Sequence, residues 1–186
     1  MTILYSYAEN DGTTPTLTTV DPEQIREVLA TAGIDFEQWS TVEVSDTDSP
    51  EQILTHYAQW LGDLKQRGGY STADVIAVMP DNPQRAALRE KFLEEHTHSE
   101  DEVRFFVAGR GAFYLHIGDR VLVVVCEQGD LLQVPANTQH WFDMGPEPKL
   151  VAIRIFTRAD GWVARFTGNQ ISQRFPRLEP RGLPLG

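Results

Sequence analysis

Between residues 103 and 157 the apolar residues fall into six short runs, at 103–108, 112–117, 121–126, 131–134, 139–142 and 150–157. The breaks are Gly109-Arg110-Gly111, Gly118-Asp119, Gly129-Asp130, Pro135-Ala136-Asn137 and Gly145-Pro146. Runs this short are too brief for ordinary helices, and glycine, asparagine and proline supply the backbone conformations that close hairpins. The pattern predicts antiparallel hairpins folding into a small barrel or sandwich.

The preceding residues follow a different grammar. Residues 1–20 alternate weakly around Asp11-Gly12, which suits a short strand and a turn. Asp21-Pro22-Glu23 reads as an N-cap, a proline at the first helical position and an acid at the positive helix end, with Ile25, Val28, Leu29 and Ala32 on one face and Gly33 as the stop. Ser49-Pro50-Glu51-Gln52 carries capping-box chemistry, and one helix is expected to present Ile53, Tyr57, Trp60, Leu61 and Leu64 before Gly68-Gly69 ends it. Residues 73–79 suit a buried strand, and Pro83 opens a third helix through Arg85 and Leu88 toward Phe92. The last residues hold several prolines without periodicity, which suits an extended or mobile tail. The expected fold is mainly β with α, as one domain over 1–186. About three N-terminal helices occupy about 20–95, a barrel about 96–160 and the extended tail about 173–186.

Composition narrows the partners. At 41% hydrophobic the 186 residues can bury a sizeable core, and a formal charge of −11 with no basic run disfavours nucleic acid and anionic membrane. Small molecules or proteins are the expected partners, and a monomer is expected. The N-terminus lacks a basic region followed by an apolar core, and no stretch approaches a membrane span. Cys126 is alone in an apolar run, so it reads as buried and inert, and a cytoplasmic protein is expected.

The chemistry concentrates just before the first apolar run. In an extended chain, residues two apart point the same way, so His96, His98 and Glu102 share a parity that aims them at one point. His140 lies in the later segment Gly129-x5-Pro135-x-Asn137-x2-His140. Three imidazoles and a carboxylate suit divalent Fe, Ni, Co, Mn or Zn, and four such ligands on an octahedral ion leave two positions open. Arg104 shares the parity of Glu102 and is expected in the same cavity, where a buried guanidinium needs an anionic partner, either Glu102 and its neighbours or a bound substrate. Arg154 raises the same question. His56 and His116 read as structural. The segment 90–102 sets Glu90, Glu94, Glu95, Glu100, Asp101 and Glu102 against Lys91 alone, which reads as a solvated acidic face or as help in loading metal.

The spacings His96-x-His98-x3-Glu102-x6-Gly109 and Gly129 to His140 resemble the two cupin motifs, so the resemblance implies a cupin-type, jelly-roll-like antiparallel barrel. Glu90 stands where a glycine usually opens the first motif, which implies entry from a helix. Asn137 stands where glycine is common, and asparagine tolerates the left-handed backbone a tight turn needs. The likeness then becomes narrower. Glu-His-Thr-His-Ser-Glu-Asp-Glu-Val-Arg-Phe at 95–105, Gly-Arg-Gly-Ala-Phe at 109–113, Val-Pro-Ala-Asn-Thr-Gln-His-Trp-Phe at 134–142 and Arg-Ile-Phe-Thr at 154–157 resemble the acireductone dioxygenase family, over most of the chain.

That resemblance implies an enzyme of methionine salvage acting on 1,2-dihydroxy-3-keto-5-(methylthio)pentene and O2. It implies one Fe(II) or Ni(II) per chain, held by His96, His98, Glu102 and His140. With Fe(II) the products would be formate and 4-methylthio-2-oxobutanoate; with Ni(II), 3-methylthiopropanoate, formate and carbon monoxide. Arg104 would stabilise the substrate dianion, Phe92, Phe142, Trp162 and Arg154 would contact the substrate, and Glu95 and Glu100 would assist metal loading. The alternatives are another cupin enzyme, such as a sugar-phosphate isomerase or a quercetinase-like dioxygenase, and a non-enzymatic small-molecule-binding cupin. An isomerase would be expected to carry more basic residues near the ligands, and a binding module would not need four intact ligands.

Overall fold

Local chemistry sets the first elements. The computed structural model describes residues 1–45, 47–158 and 163–184. Strands β1 (Ile3–Ala8) and β2 (Leu17–Thr19) pair antiparallel, and helix α1 (Pro22–Thr31) follows. Asp21 caps α1 by accepting from the Glu23 amide at 3.0 Å, and Ile25 and Leu29 are buried. After β3 (Asp35–Gln38), the region expected to form one helix forms two, α2 (Pro50–His56) and α3 (Ala58–Gly68). The capping box at Ser49 and Gln52 is present as the sequence predicts. The division comes at Tyr57, whose ring is fully buried edge-on to Phe105 at 4.8 Å and whose hydroxyl accepts from the Val42 amide at 3.3 Å. Packing of that ring sets the backbone at φ −103, ψ 11 and ends the first helix there. Strand β4 (Thr72–Val78) and helix α4 (Arg85–Phe92) complete this part, giving four helices among the described residues where about three were expected.

The remaining strands are β5 (His96–Thr97), β6 (Glu102–Ile117), β7 (Arg120–Glu127), β8 (Asp130–Val134), β9 (Gln139–Asp143), β10 (Leu150–Phe156) and β11 (Arg165–Phe166). They run antiparallel in two sheets, β11-β5-β9-β6-β7-β1-β2 and β3-β8-β6-β10-β4, that share β6. This mainly β, antiparallel arrangement is consistent with a cupin fold. The break expected at Gly109-Arg110-Gly111 is a bend inside β6, whose first half pairs with β8 and β10 and whose second half pairs with β7 and β9. Gly109 makes the bend possible: its φ is +76, and a Cβ there would collide with the Lys149 carbonyl. The register with β10 shifts between Val151 and Ala152, as a bulge requires.

The core lies between the sheets, where Phe106, Phe113, Leu115, Leu122, Cys126 and Phe142 pack together. The C-terminal segment, expected to be an extended or mobile tail, is packed. After a 3-10 turn over Ile171–Arg174, the buried residues Phe175, Leu178 and Leu183 cover the outer face of β1 and β9, with Phe175 edge-on to Tyr7 at 5.7 Å. The prolines keep the chain extended and the apolar residues between them give it a face to bury. No helix among the described residues is long and apolar enough to cross a membrane.

Candidate metal centre

Helix α4 delivers the chain to β5, and the register of β5 with β9 places His96 opposite His140. Directly paired residues of an antiparallel ladder project on one face, so the two imidazoles lie side by side with ring centroids 4.5 Å apart. His98, two residues on, brings its ring within 5.1 Å of His96 and 5.3 Å of His140. One ligand nitrogen from each of these three buried histidines lies within 4.8 Å of the other two. The loop that leads into β9 is tied to the first motif: Asn137 N donates to the His98 carbonyl at 2.8 Å, and Ala136 N donates to Asp101 at 2.9 Å. Asn137 adopts φ +64, the left-handed conformation that asparagine was expected to tolerate there.

Hydrogen bonds fix two of the tautomers. His96 Nδ1 donates to the Glu94 carbonyl at 2.6 Å and His140 Nδ1 to the Thr138 carbonyl at 2.8 Å, which leaves a lone pair on each Nε2. Burial and the neighbouring His140 push the His96 pKa down to about 4, so the ring is neutral, as a metal ligand must be. Glu102 stands beside the three histidines. Its Oε2 stands 2.9 Å from His140 Nε2 and 3.3 Å from His98 Nε2. Burial opposes its ionisation, but the charge of Arg104 beside it holds it well below the usual carboxylate range. An ionised oxygen facing an imidazole lone pair is repulsive unless a cation or proton lies beside both. This donor set fits a divalent metal.

Arg104 lies behind the carboxylate. Its Nη2 donates to Glu102 Oε1 at 2.6 Å, and its guanidinium sits 4.7 Å from the Phe142 ring centroid and 5.2 Å from that of Phe113. Gly111 makes room, since a Cβ there would collide with Phe142. Among the described residues, three buried side-chain polar atoms have no hydrogen-bond partner, and two of them, His98 Nδ1 and Arg104 Nε, are in this cluster. Buried orphans are rare in folded proteins, and a pair of them at one site calls for a water, an ion or a catalytic role there.

A model of the ARD/ARD' family matches residues 3–164. The chain belongs to the ARD/ARD' family. A relative from Hahella chejuensis named acireductone dioxygenase is 49% identical over 96% of this chain and 97% of its own. One of that name from Methylococcus capsulatus is 56% identical over 85% of this chain and 89% of its own. A solved acireductone dioxygenase from Bacillus anthracis, with a cadmium ion in its active centre, superposes with a TM-score of 0.78 at 29% identity, covering 89% of this chain and 98% of that one. This member of the ARD/ARD' family is thus a metal-binding protein of dioxygenase class.

The other residues expected at an ARD-type site are placed unevenly. Phe142 is buried beneath Arg104, and Phe92 is half-buried against the same core. Trp162 lies outside the described residues. Arg154 was expected to meet substrate, but it donates to Asp74 from Nε at 2.8 Å and Nη2 at 2.6 Å, so a carboxylate on β4 is its partner. Glu100 accepts from the Thr157 hydroxyl. Glu95 is 1% exposed and accepts from Thr167 Oγ1 at 2.6 Å and from His116 Nδ1 at 2.7 Å. That placement does not suit a solvated acidic face or a loading path; Glu95 instead braces β5 against β6 and the residue after β11. Sequence reasoning missed this brace, and it missed the pair in which Arg89 on α4 grips Asp143 on β9 at 2.7 and 2.9 Å. The partners are 21 to 72 residues apart, so no local spacing signals them.

Proposed function

We propose that this chain is an acireductone dioxygenase of methionine salvage, cleaving 1,2-dihydroxy-3-keto-5-(methylthio)pentene with O2. The observation that carries the reading is the Glu102 carboxylate held by Arg104 on one oxygen while the other faces the His140 lone pair at 2.9 Å, with His98 Nε2 3.3 Å away. His96, His98, Glu102 and His140 would hold one divalent ion per chain, Fe(II) or Ni(II). When bound, that ion supplies the Lewis acidity that favours the ionised enediol, and its identity would select between the formate and keto-acid products and the set that includes carbon monoxide.

The protein's own part is orientation and charge. The Glu94 and Thr138 carbonyls hold the Nδ1 protons of His96 and His140, so both rings present Nε2 to the site and neither can take a proton at Nδ1. Arg104 fixes the rotamer of Glu102 and keeps a positive charge in a water-poor pocket, where it favours a substrate dianion far more than it would in water. Phe113 and Phe142 exclude water from that guanidinium, and Phe92 and Phe142 would form part of an apolar wall around the methylthio tail of the substrate. Glu100, near the chain's entrance to β6, is the carboxylate left to assist metal loading. The acidic charge and lone buried cysteine support a cytoplasmic monomer acting on a small molecule.

The test is aerobic turnover of acireductone by protein loaded separately with Fe(II) and with Ni(II), with headspace carbon monoxide measured. Keto acid and formate from the iron form, and carbon monoxide from the nickel form, are expected. Absence of O2 consumption by both forms would contradict the reading.

A further inference from the structure

The histidine pair belongs to a longer row. Cross-strand partners run Phe166 to His96, His96 to His140, His140 to Leu115 and Leu115 to Leu122, so all five side chains project on one face of the sheet. Leu115 and Leu122 are at the buried end, and Phe166 stands at the open end, 48% exposed, its ring 5.9 Å from that of His96 at 63°. The described residues expose four large hydrophobic side chains, Met1, Val20, Val163 and Phe166, and two of these belong to the short segment 163–166. That segment is pinned. Thr167 N donates to the Glu95 carbonyl at 3.0 Å and its hydroxyl to the Glu95 carboxylate at 2.6 Å, directly beside Phe166.

An aromatic ring left half in water, held in place by a buried carboxylate and standing next to a metal-binding histidine, suits a ligand with two unlike ends. The head would be an oxygen chelate facing the histidines, Glu102 and Arg104; the tail would be apolar. We propose that Phe166 is a specificity-determining residue that seats the apolar tail of the substrate at the lip of the site. This rests on the dioxygenase reading and adds the residue that selects for the tail.

The experiment compares wild type, Phe166→Ala and Phe166→Leu on the methylthio-tailed enediol and on an enediol shortened to a methyl group. It reads kcat and KM, the anaerobic dissociation constant of each compound and metal content. Losing contact with an apolar group changes discrimination by about 10-fold or more, and a half-exposed ring belongs at the low end of that range. Phe166→Ala should therefore raise KM and the anaerobic dissociation constant for the tailed compound about tenfold. The shortened compound and the metal content should stay as in wild type, with Phe166→Leu intermediate. Equal losses on both compounds, no loss, or loss of metal in the variants would overturn the proposal. If the alanine variant fails to fold, the ratio between the two compounds in Phe166→Leu decides. Should wild type turn over neither compound, the dioxygenase reading falls and this inference with it; if wild type turns over both while the variants show no tail preference, only this inference falls.

Discussion

Two carboxylates, Glu102 on β6, largely buried, and Asp143 on β9, fully buried, each face an arginine, yet they are built to opposite ends. Asp143 is closed: Arg89 Nε at 2.7 Å and the Gly145 amide at 2.8 Å donate to Oδ1, while Arg89 Nη2 and the Leu178 amide, both at 2.9 Å, donate to Oδ2. Every contact is a donor, and the result ties α4, β9 and the C-terminal segment together. Glu102 is open. Arg104 satisfies Oε1, but Oε2 faces imidazole nitrogens, and two atoms of the neighbouring side chains, His98 Nδ1 and Arg104 Nε, have no partner. A satisfied buried ion pair serves structure, whereas one whose free oxygen faces the His140 lone pair needs an ion or substrate to complete it.

The largest effects should come from the open site. His96→Ala, His98→Ala and His140→Ala are each expected to lose most bound metal and, with it, turnover, since even residues behind the ligands are worth about 10- to 100-fold in metal affinity. Elemental analysis after desalting checks this, and near-stoichiometric metal in all three variants would overturn the ligand assignment. At the closed site, Asp143→Ala leaves the half-buried Arg89 guanidinium without its anion and the Gly145 and Leu178 amides without their acceptor, and should cost about 3 kcal/mol in stability. Denaturant unfolding should show that loss while the folded fraction keeps wild-type metal affinity; a stable variant that loses metal would erase the distinction between the two carboxylates.

Arg104→Ala should lower turnover by about 10²–10³, the usual loss when a preorganised charge-stabilising donor is removed. Because Arg104 also holds Glu102, metal affinity should weaken too, by about 10- to 100-fold. Lysine should restore little, since a point charge does not reproduce the planar fork. Steady-state kinetics at saturating metal separate the two effects, and near-wild-type turnover by the alanine variant would leave Arg104 a structural role alone. The smallest effect serves as a distant control: Ser49→Ala removes the cap of α2 and should cost about 1 kcal/mol of stability with metal content unchanged.

What could be read without coordinates follows the range of each interaction. The Asp21 and Ser49 caps, the left-handed Asn137 turn and the shared direction of His96 and His98 all depend on neighbours a few residues away, and the sequence shows them directly. The convergence of His140 was legible only through the second motif's spacing. The bend at Gly109 was read as a break because the same glycine chemistry serves both, and only the Lys149 carbonyl, just before β10, shows which is used. The split at Tyr57 depends on Phe105, which lies in another element. Arg154 and Arg104 looked alike as arginines in apolar runs. Asp74 distinguishes them, and its partnership with Arg154 across β4 and β10 is a matter of register between strands 80 residues apart.

The most direct measurement is calorimetric titration of Ni(II) into metal-free wild type, Glu102→Gln and Asp143→Asn. Glutamine keeps an acceptor for Arg104 but removes the charge that faces the histidines. The account predicts one ion per chain in wild type, unchanged binding in folded Asp143→Asn, and binding weaker by more than about 100-fold in Glu102→Gln. Wild-type affinity in Glu102→Gln, or a wild-type stoichiometry other than one, would contradict it.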